Sequence, residues 1–75
     1  MSATKTQCDK VLRMLIDRWD GITPLDAMNE AGIMRLAARV ADLRAEGHDI
    51  RSEMVKVRNR DGMVVRVARY RLAAA

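Results

Sequence analysis

Hydrophobic positions follow a helical period over the first two thirds of the chain and an alternating period over the last third. The strongest helical pattern predicts a first helix from about Lys5 to Asp20, with Thr4 or Thr6 as its N-cap and Gly21 as its stop. We expect its apolar stripe to supply most of the core. That stripe consists of Cys8, Val11, Leu12, Leu15, Ile16 and Trp19.

The second helix begins with a clear N-terminal signature. Thr23 is a favoured N-cap, Pro24 suits the first helical position, and Asp26 completes a T-x-x-D capping box. Ile22 and Thr23 are expected to form a very short extended piece that enters this helix. Gly32 then breaks the helical pattern with a turn. The side chains expected to face the core are Leu25, Met28 and Ala31.

A third helix is predicted from Met34 to Glu46, ended by Gly47. Together with the preceding helix and turn it forms a predicted helix-turn-helix. Its apolar stripe is Leu36, Val40 and Leu43. A different face carries Arg35, Ala38, Arg39 and Asp42.

The alternating segments 49–58 and 63–72 predict a β-hairpin around the loop Asn59-Arg60-Asp61-Gly62. If Gly62 adopts the left-handed conformation of a three-residue loop with a bulge, Val57 lies opposite Val65. The same register places Val55 beside Val67, and on the other face it pairs Ile50 with Leu72, Ser52 with Tyr70 and Met54 with Ala68.

Both faces of this hairpin are therefore partly apolar. Ile50, Tyr70 and Leu72 lie nearest its base, and we expect them to close the core under the helices. The valine face (Val55, Val57, Val65 and Val67) has two explanations: sheet twist carries part of it onto the core, or it contacts a second protomer or another protein. The first is the favoured expectation.

The composition predicts one small globular domain over residues 1–75, with an ordered core at about 5–72. The chain is 49% hydrophobic, and its aromatic side chains are Trp19 and Tyr70 alone. Proteins that bind single-stranded nucleic acid stack bases on several aromatic rings. A double-stranded partner is therefore favoured.

Charge is distributed unevenly along the chain. Residues 1–50 carry seven Lys/Arg against eight Asp/Glu, whereas residues 51–75 carry seven against two. The net charge is −1 for residues 1–50 and +5 for residues 51–75. We therefore expect the hairpin to bind a polyanion. The alternative is a solvated hairpin whose arginines serve solubility.

Catalytic and metal-binding signals are lacking in the sequence. A single cysteine excludes an internal disulfide, and neither a Cys/His cluster with metal spacing nor a nucleophile–base pair is present. We expect no cofactor and no enzymatic activity. No signal peptide or membrane span is indicated, which predicts a cytoplasmic protein.

Candidate DNA contacts follow from the predicted faces. Arg35 and Arg39 lie one turn apart, as bidentate reading of guanine would require, with Ala38 and Asp42 shaping the choice of base. The alternative is that the two arginines form surface ion pairs with acidic neighbours. Candidate phosphate contacts are Thr23 at a helix N-terminus, Arg44, and the wing residues Lys56, Arg58, Arg60 and Arg66.

The stretches T-P-L-D-A, G-I-M-R-L-A-A-R-V-A-D-L-R-A-E-G-H-D-I and R-Y-R-L lie between residues 23 and 72. They resemble a family of small winged helix-turn-helix proteins that are frequent in bacteriophages and prophages, over roughly residues 8–72. The resemblance implies an α+β fold of three helices followed by a two-stranded hairpin. It also implies that residues 34–46 form a recognition helix, with the wing at about residues 49–72 and Lys56–Arg66 at its tip.

Two functions are therefore expected to compete. The first is binding of double-stranded DNA by a small phage-type regulator of transcription or recombination, with a homodimer extending its site. The second is a protein-binding module that reuses the same scaffold to grip or inhibit a host protein through the valine face.

Overall fold

The predicted order of elements is confirmed by the computed structural model, which describes residues 3–73 and their side chains from residue 5 onward. Three helices precede a two-stranded antiparallel hairpin. The elements are α1 (Ala3–Asp17), α2 (Pro24–Ala31), α3 (Leu36–Ala45), β1 (Ile50–Arg58) and β2 (Val64–Leu72). Residues 3 and 4, just before the ordered core expected from about residue 5, are already helical, and residues 1 and 2 lie outside the described range.

Helix α1 ends earlier than its apolar pattern predicted. It ends at Asp17, and a turn closed by the Gly21 N–H on the Arg18 carbonyl follows. Ile16 is 63% exposed and Trp19 87% exposed, so their prediction as core residues was wrong. Trp19 lies beyond the helix and no longer follows its period. The fully buried face of α1 is the narrower stripe of Cys8, Val11 and Leu15, with Leu12 and Met14 partly buried beside it.

The N-cap expected for α1 is also partly corrected. Thr6 lies within the helix, which begins before it, and therefore does not cap it. Thr4, the other candidate, also lies within the helix, which begins at Ala3, so this prediction was wrong as well.

Both ends of α2 are formed as predicted. The Asp26 N–H donates to Thr23 Oγ1 at 3.2 Å, and the Thr23 N–H donates to Asp26 Oδ2 at 3.0 Å. Gly32 caps the helix in the left-handed conformation, with φ of 68°. The sequence therefore specifies this eight-residue helix locally, through a capping box and a glycine C-cap.

The buried face of α2 differs from the prediction. Ala27 is fully buried and Ala31 half-buried, whereas Leu25 is 60% exposed and Met28 44% exposed. Only Ala31 of the three predicted side chains faces the core, because α2 approaches the core through its small residues. Leu25 lies on the opposite side of this short helix, and Met28 lies at the edge of the covered face, one turn before Ala31.

Helix α3 carries the predicted core stripe. Leu36, Val40 and Leu43 are each at most 2% exposed. The helix begins two residues later than Met34 and ends at Ala45, with Arg35 as an N-cap that makes no side-chain capping hydrogen bond.

The hairpin has the predicted register. Val57 lies opposite Val65, and Ile50 lies opposite Leu72. At the tip, the Asn59 N–H donates to the Met63 carbonyl at 2.8 Å, and Gly62 has φ of 82°. This is the three-residue loop with a left-handed glycine expected for the hairpin.

Ile22 joins the hairpin to the helices. Its N–H and carbonyl each form a 2.8 Å hydrogen bond with Tyr70, which makes Ile22 a one-residue third strand. Ile50 is buried, and Tyr70 and Leu72 pack against the core as expected. The valine face does not join the buried core cluster, so sheet twist alone does not bury it.

No helix within residues 3–73 is long and apolar enough to cross a membrane.

Candidate nucleic-acid interface

The outward surface of α3 is smooth and almost free of large side chains. Ala37, Ala41 and Ala45 are exposed, and Ala38 is half-buried beside them. Arg35 is exposed at the N-cap, where the first turn of the helix lacks a side-chain cap. A helix surface of alanines with a cationic N-terminal end can approach a DNA groove closely.

Arg39 does not project beside Arg35, as the one-turn spacing suggested. Its side chain is only 16% exposed, and its Nε lies 3.2 Å from Asp42 Oδ2. Its Nη1 donates to the Gln7 Oε1 of α1 at 3.5 Å. The Nε is buried without an aligned hydrogen bond. Arg39 flanks the core stripe of α3 on the side where α1 packs, so its guanidinium is drawn into that interface.

Asp42 is held in the same interface. Besides the Arg39 ion pair, its Oδ2 lies 3.8 Å from Cys8 Sγ, which donates to it. Burial raises the pKa of the Cys8 thiol, and the Asp42 carboxylate raises that pKa further. Cys8 is thus a protonated, buried side chain at neutral pH. Of the four predicted base-reading residues, Arg35 and Ala38 remain at the open surface, while Arg39 and Asp42 contact α1.

Arg44 links α3 to the hairpin. Its Nε and Nη2 donate to the Ile50 carbonyl at 2.9 and 2.7 Å. The side chain is nevertheless exposed overall, and its remaining terminal nitrogen can meet a phosphate at the junction of α3 and β1.

The outer half of the hairpin carries cations without internal partners. Lys56 lies directly opposite Arg66, and Arg60 occupies the loop. Within residues 3–73, neither these three side chains nor Arg58 forms an ion pair. Like charges placed directly across two strands destabilise a sheet unless an anion lies between them.

The base of the hairpin differs in this respect. Arg69 donates to Glu53 Oε1 at 2.8 Å, and Arg51 lies 3.7 Å from Asp49. The hydrogen bond and charge of Arg69 lower the pKa of the Glu53 carboxyl. Unpaired positive charge is therefore concentrated toward the tip, on the wing residues predicted to touch phosphate.

Thr23 is not free to bind a phosphate. Its hydroxyl and its N–H are both engaged in the capping box with Asp26. The Asp26 carboxylate also lies 3.9 Å from Arg18, which forms a second, closer ion pair with Glu30. An anion at this helix end would face the Asp26 carboxylate, so the predicted role of Thr23 is not supported by its surroundings.

The valine face lies along an open groove between the hairpin and α2, which we call the valine groove. Its volume is about 720 Å³. The helical side contributes Leu25 and Met28, and the turn contributes Met34, which is 81% exposed. Sequence reasoning missed these three as surface residues. The signal that could have indicated Leu25 is its position opposite Ala27 on α2.

No group of three or more His, Cys, Asp or Glu side chains is arranged to hold a metal ion in the part of the chain from residue 3 to residue 73.

Comparison with known proteins agrees with this arrangement. A family model described as a winged helix-turn-helix domain matches residues 6–75. No curated protein and no solved structure matches the chain. The matched range includes all of α2, α3 and the hairpin and nearly all of α1. The chain therefore belongs to the winged helix-turn-helix domain family.

Proposed function

We propose that this domain binds double-stranded DNA and acts as a small phage-type regulator of transcription or recombination in the bacterial cytoplasm. The observation that carries the proposal is the Lys56–Arg66 pair, two cations held opposite each other on an exposed wing without an acidic partner among the described residues. A phosphate backbone relieves that repulsion. Family membership supports the same class of ligand.

In this proposal α3 enters the major groove with its alanine surface leading. Recognition helices contact base edges chiefly through their N-terminal residues. Arg35, exposed at the N-cap, is therefore the residue we assign to base reading, with Ala38 allowing close approach. Arg44 and the wing tip would contact phosphates on either side of the helix.

The contribution of the wing to DNA affinity is tested by comparing two double variants, one that removes two positive charges from the wing and one that removes two from α1. Fluorescence anisotropy with a duplex selected from a random pool measures affinity at several salt concentrations. Lys56→Ala/Arg66→Ala should weaken binding at every sequence and reduce the slope of log K against log salt by roughly one to two. The control Lys10→Ala/Arg13→Ala removes the same charge from the exposed side of α1 and should leave the slope unchanged. Equal losses in both variants would contradict wing-specific phosphate binding.

The reading face is tested with two arginine variants. Arg35→Ala should lower discrimination between the selected site and a scrambled duplex by about tenfold, since a good arginine–guanine pair contributes roughly 1–3 kcal/mol. Arg39→Ala should instead lower thermal stability while discrimination persists, because its guanidinium contacts Asp42 and Gln7. Loss of discrimination only in Arg39→Ala would reverse this assignment.

The valine groove supports the second candidate, a module that binds a host protein. The two candidates are separated by a gel-shift at low salt. Absence of any duplex binding, together with a stable protein complex purified from the host, would replace the DNA proposal with this one.

A further inference from the structure

The single tryptophan of the chain lies almost entirely in solvent. Trp19 is 87% exposed in the turn after α1, and Ile16, in the last turn of that helix, is 63% exposed. A buried aromatic side chain removes about 150–250 Å² of surface from water, so an exposed indole leaves a large favourable term unused. Neither the core nor the proposed DNA contacts use this side chain.

Trp19 borders an open depression at the base of the hairpin, which we call the tryptophan site. Its volume is about 560 Å³. The lining consists of Ile16, Trp19, Arg51, Arg71, Leu72 and Ala73. Four of these residues are apolar and two are cationic, and no acidic side chain of the described residues lines the depression. The site therefore offers an apolar surface directly beside positive charge.

Strand register holds the two arginines of the site together. Arg51 lies directly opposite Arg71, and like charges in that position repel. Arg71 forms no ion pair within residues 3–73, and Arg51 contacts only Asp49, at 3.7 Å in an exposed pair of the kind that contributes little. The next pair along this face, Glu53 and Arg69, is closed by its own hydrogen bond. The two guanidiniums can thus accept a carboxylate from another molecule.

The arginines of the tryptophan site and the cations of the wing lie on opposite faces of the hairpin. Successive side chains of a strand alternate between faces, and Arg51 is five positions from Lys56, as Arg71 is from Arg66. The ladder of pairs between these positions is unbroken. A duplex that binds the wing cations therefore meets the other face, and the tryptophan site needs a partner of its own.

We propose that the tryptophan site binds an acidic segment of another protein. A large apolar side chain of that segment packs on Trp19 and Ile16, and neighbouring carboxylates pair with Arg51 and Arg71. Tryptophan and arginine are enriched among the residues that carry most of the binding energy in protein interfaces. Single-stranded nucleic acid fits less well, because it stacks successive bases on several aromatic rings and the site has one. The domain then holds DNA on one face of the hairpin and a protein on the other.

The first test uses Trp19 as its own reporter, since no other tryptophan contributes to the emission of the chain. A display library of random peptides without tryptophan is selected on the immobilised full-length chain, and an enriched peptide is synthesised. We expect enrichment of peptides with two or more Asp or Glu residues beside a large apolar residue. The synthetic peptide should shift the Trp19 emission to shorter wavelength, because the indole leaves water.

The second test compares matched charge variants by the fluorescence anisotropy of the labelled peptide. Arg51→Gln/Arg71→Gln and Lys56→Gln/Arg66→Gln each remove one cross-strand pair of cations, from opposite faces. The first should weaken peptide binding by at least about tenfold, and the second by less than about threefold. Trp19→Ala should also weaken it by at least about tenfold. Far-UV circular dichroism confirms that each variant is folded.

Three results would overturn the proposal: enrichment of no acidic peptide, Trp19 emission that stays unchanged at saturating peptide, or equal losses in the two charge variants. Quenching of Trp19 emission by oligothymidine, without any shift by the peptide, would assign the site to single-stranded nucleic acid instead. Duplex DNA is absent from these titrations, so a chain that binds the peptide but no duplex would contradict only the DNA-binding proposal.

Discussion

The helical region and the hairpin of this domain use hydrophobic residues in opposite ways. Residues 3–48 supply nine of the ten side chains of the buried core, and the hairpin supplies only Ile50. The outer hairpin instead exposes valines on one face and cations on the other. Stability therefore resides in the helices and the hairpin base, while the outer hairpin is free to carry binding surfaces. Substitutions should separate these two roles.

The largest difference is expected between a core residue and a hairpin residue. Leu36→Ala leaves a cavity beside a side chain that is 2% exposed and should lower the free energy of unfolding by about 3 kcal/mol. Val64→Ala, at a position 58% exposed on β2, should lower it by less than about 0.5 kcal/mol. Urea denaturation at low protein concentration, followed by circular dichroism, measures both. Similar losses would mean that the hairpin contributes to the core after all.

A second comparison concerns two native glycines, Gly21 beside the base of the hairpin and Gly62 at its tip. Gly21 has φ of +100°, and an added Cβ would lie 2.7 Å from the Tyr70 carbonyl oxygen. Gly21→Ala should therefore destabilise by about 2–4 kcal/mol, through backbone strain and displacement of the Ile22–Tyr70 pairing. Gly62, with φ of +82° at the tip, has no atom within 4 Å of such a Cβ. Gly62→Ala should cost only about 1 kcal/mol.

Thermal denaturation of these two glycine variants gives the comparison directly. If they lost equal stability, the close contact between Gly21 and β2 would not be important for joining the helices to the hairpin.

The smallest effect is expected from the pH dependence of the hairpin base. Arg69 lowers the pKa of Glu53 in the folded chain, so the carboxylate stabilises the fold at neutral pH. That contribution is complete above the ordinary glutamate pKa and is lost as the pH falls through the lower folded value. Glu53→Gln should therefore flatten the acid side of the stability profile slightly. Glu46→Gln, an exposed glutamate outside the hairpin, is the control and should retain the parent's slope.

Local sequence signals predicted the elements well. The capping box at Thr23, the glycine after α2 and the left-handed Gly62 act through neighbouring backbone atoms. The hairpin register followed from loop length and alternation, and the paired strands have that register. Only the element ends shifted by a few residues, most at α1, where apolar Trp19 extended the helical pattern past the true end.

The candidate site was predicted less completely, because periodicity does not say what packs against each face. Arg39 and Arg35 have helical spacing that allows a shared direction, but Arg39 is held by Gln7 of α1 and by Asp42 of its own helix. Leu25 and Met28 are large apolar residues of the kind usually found in a core, yet α2 approaches the core through Ala27. The wing cations needed no such information, since hairpin register alone places Lys56 opposite Arg66.

What the sequence determined by itself is the order of three helices and a hairpin, the caps of α2, the strand register and the concentration of positive charge in residues 51–75. These follow from hydrogen bonds and side-chain directions within a few residues, or across one tight turn. What the tertiary structure decided is which side of α1 and α2 is covered, which arginine of α3 stays open, and that the valine face borders a groove. Those outcomes depend on how elements distant in sequence pack against one another, and local periodicity does not specify that packing.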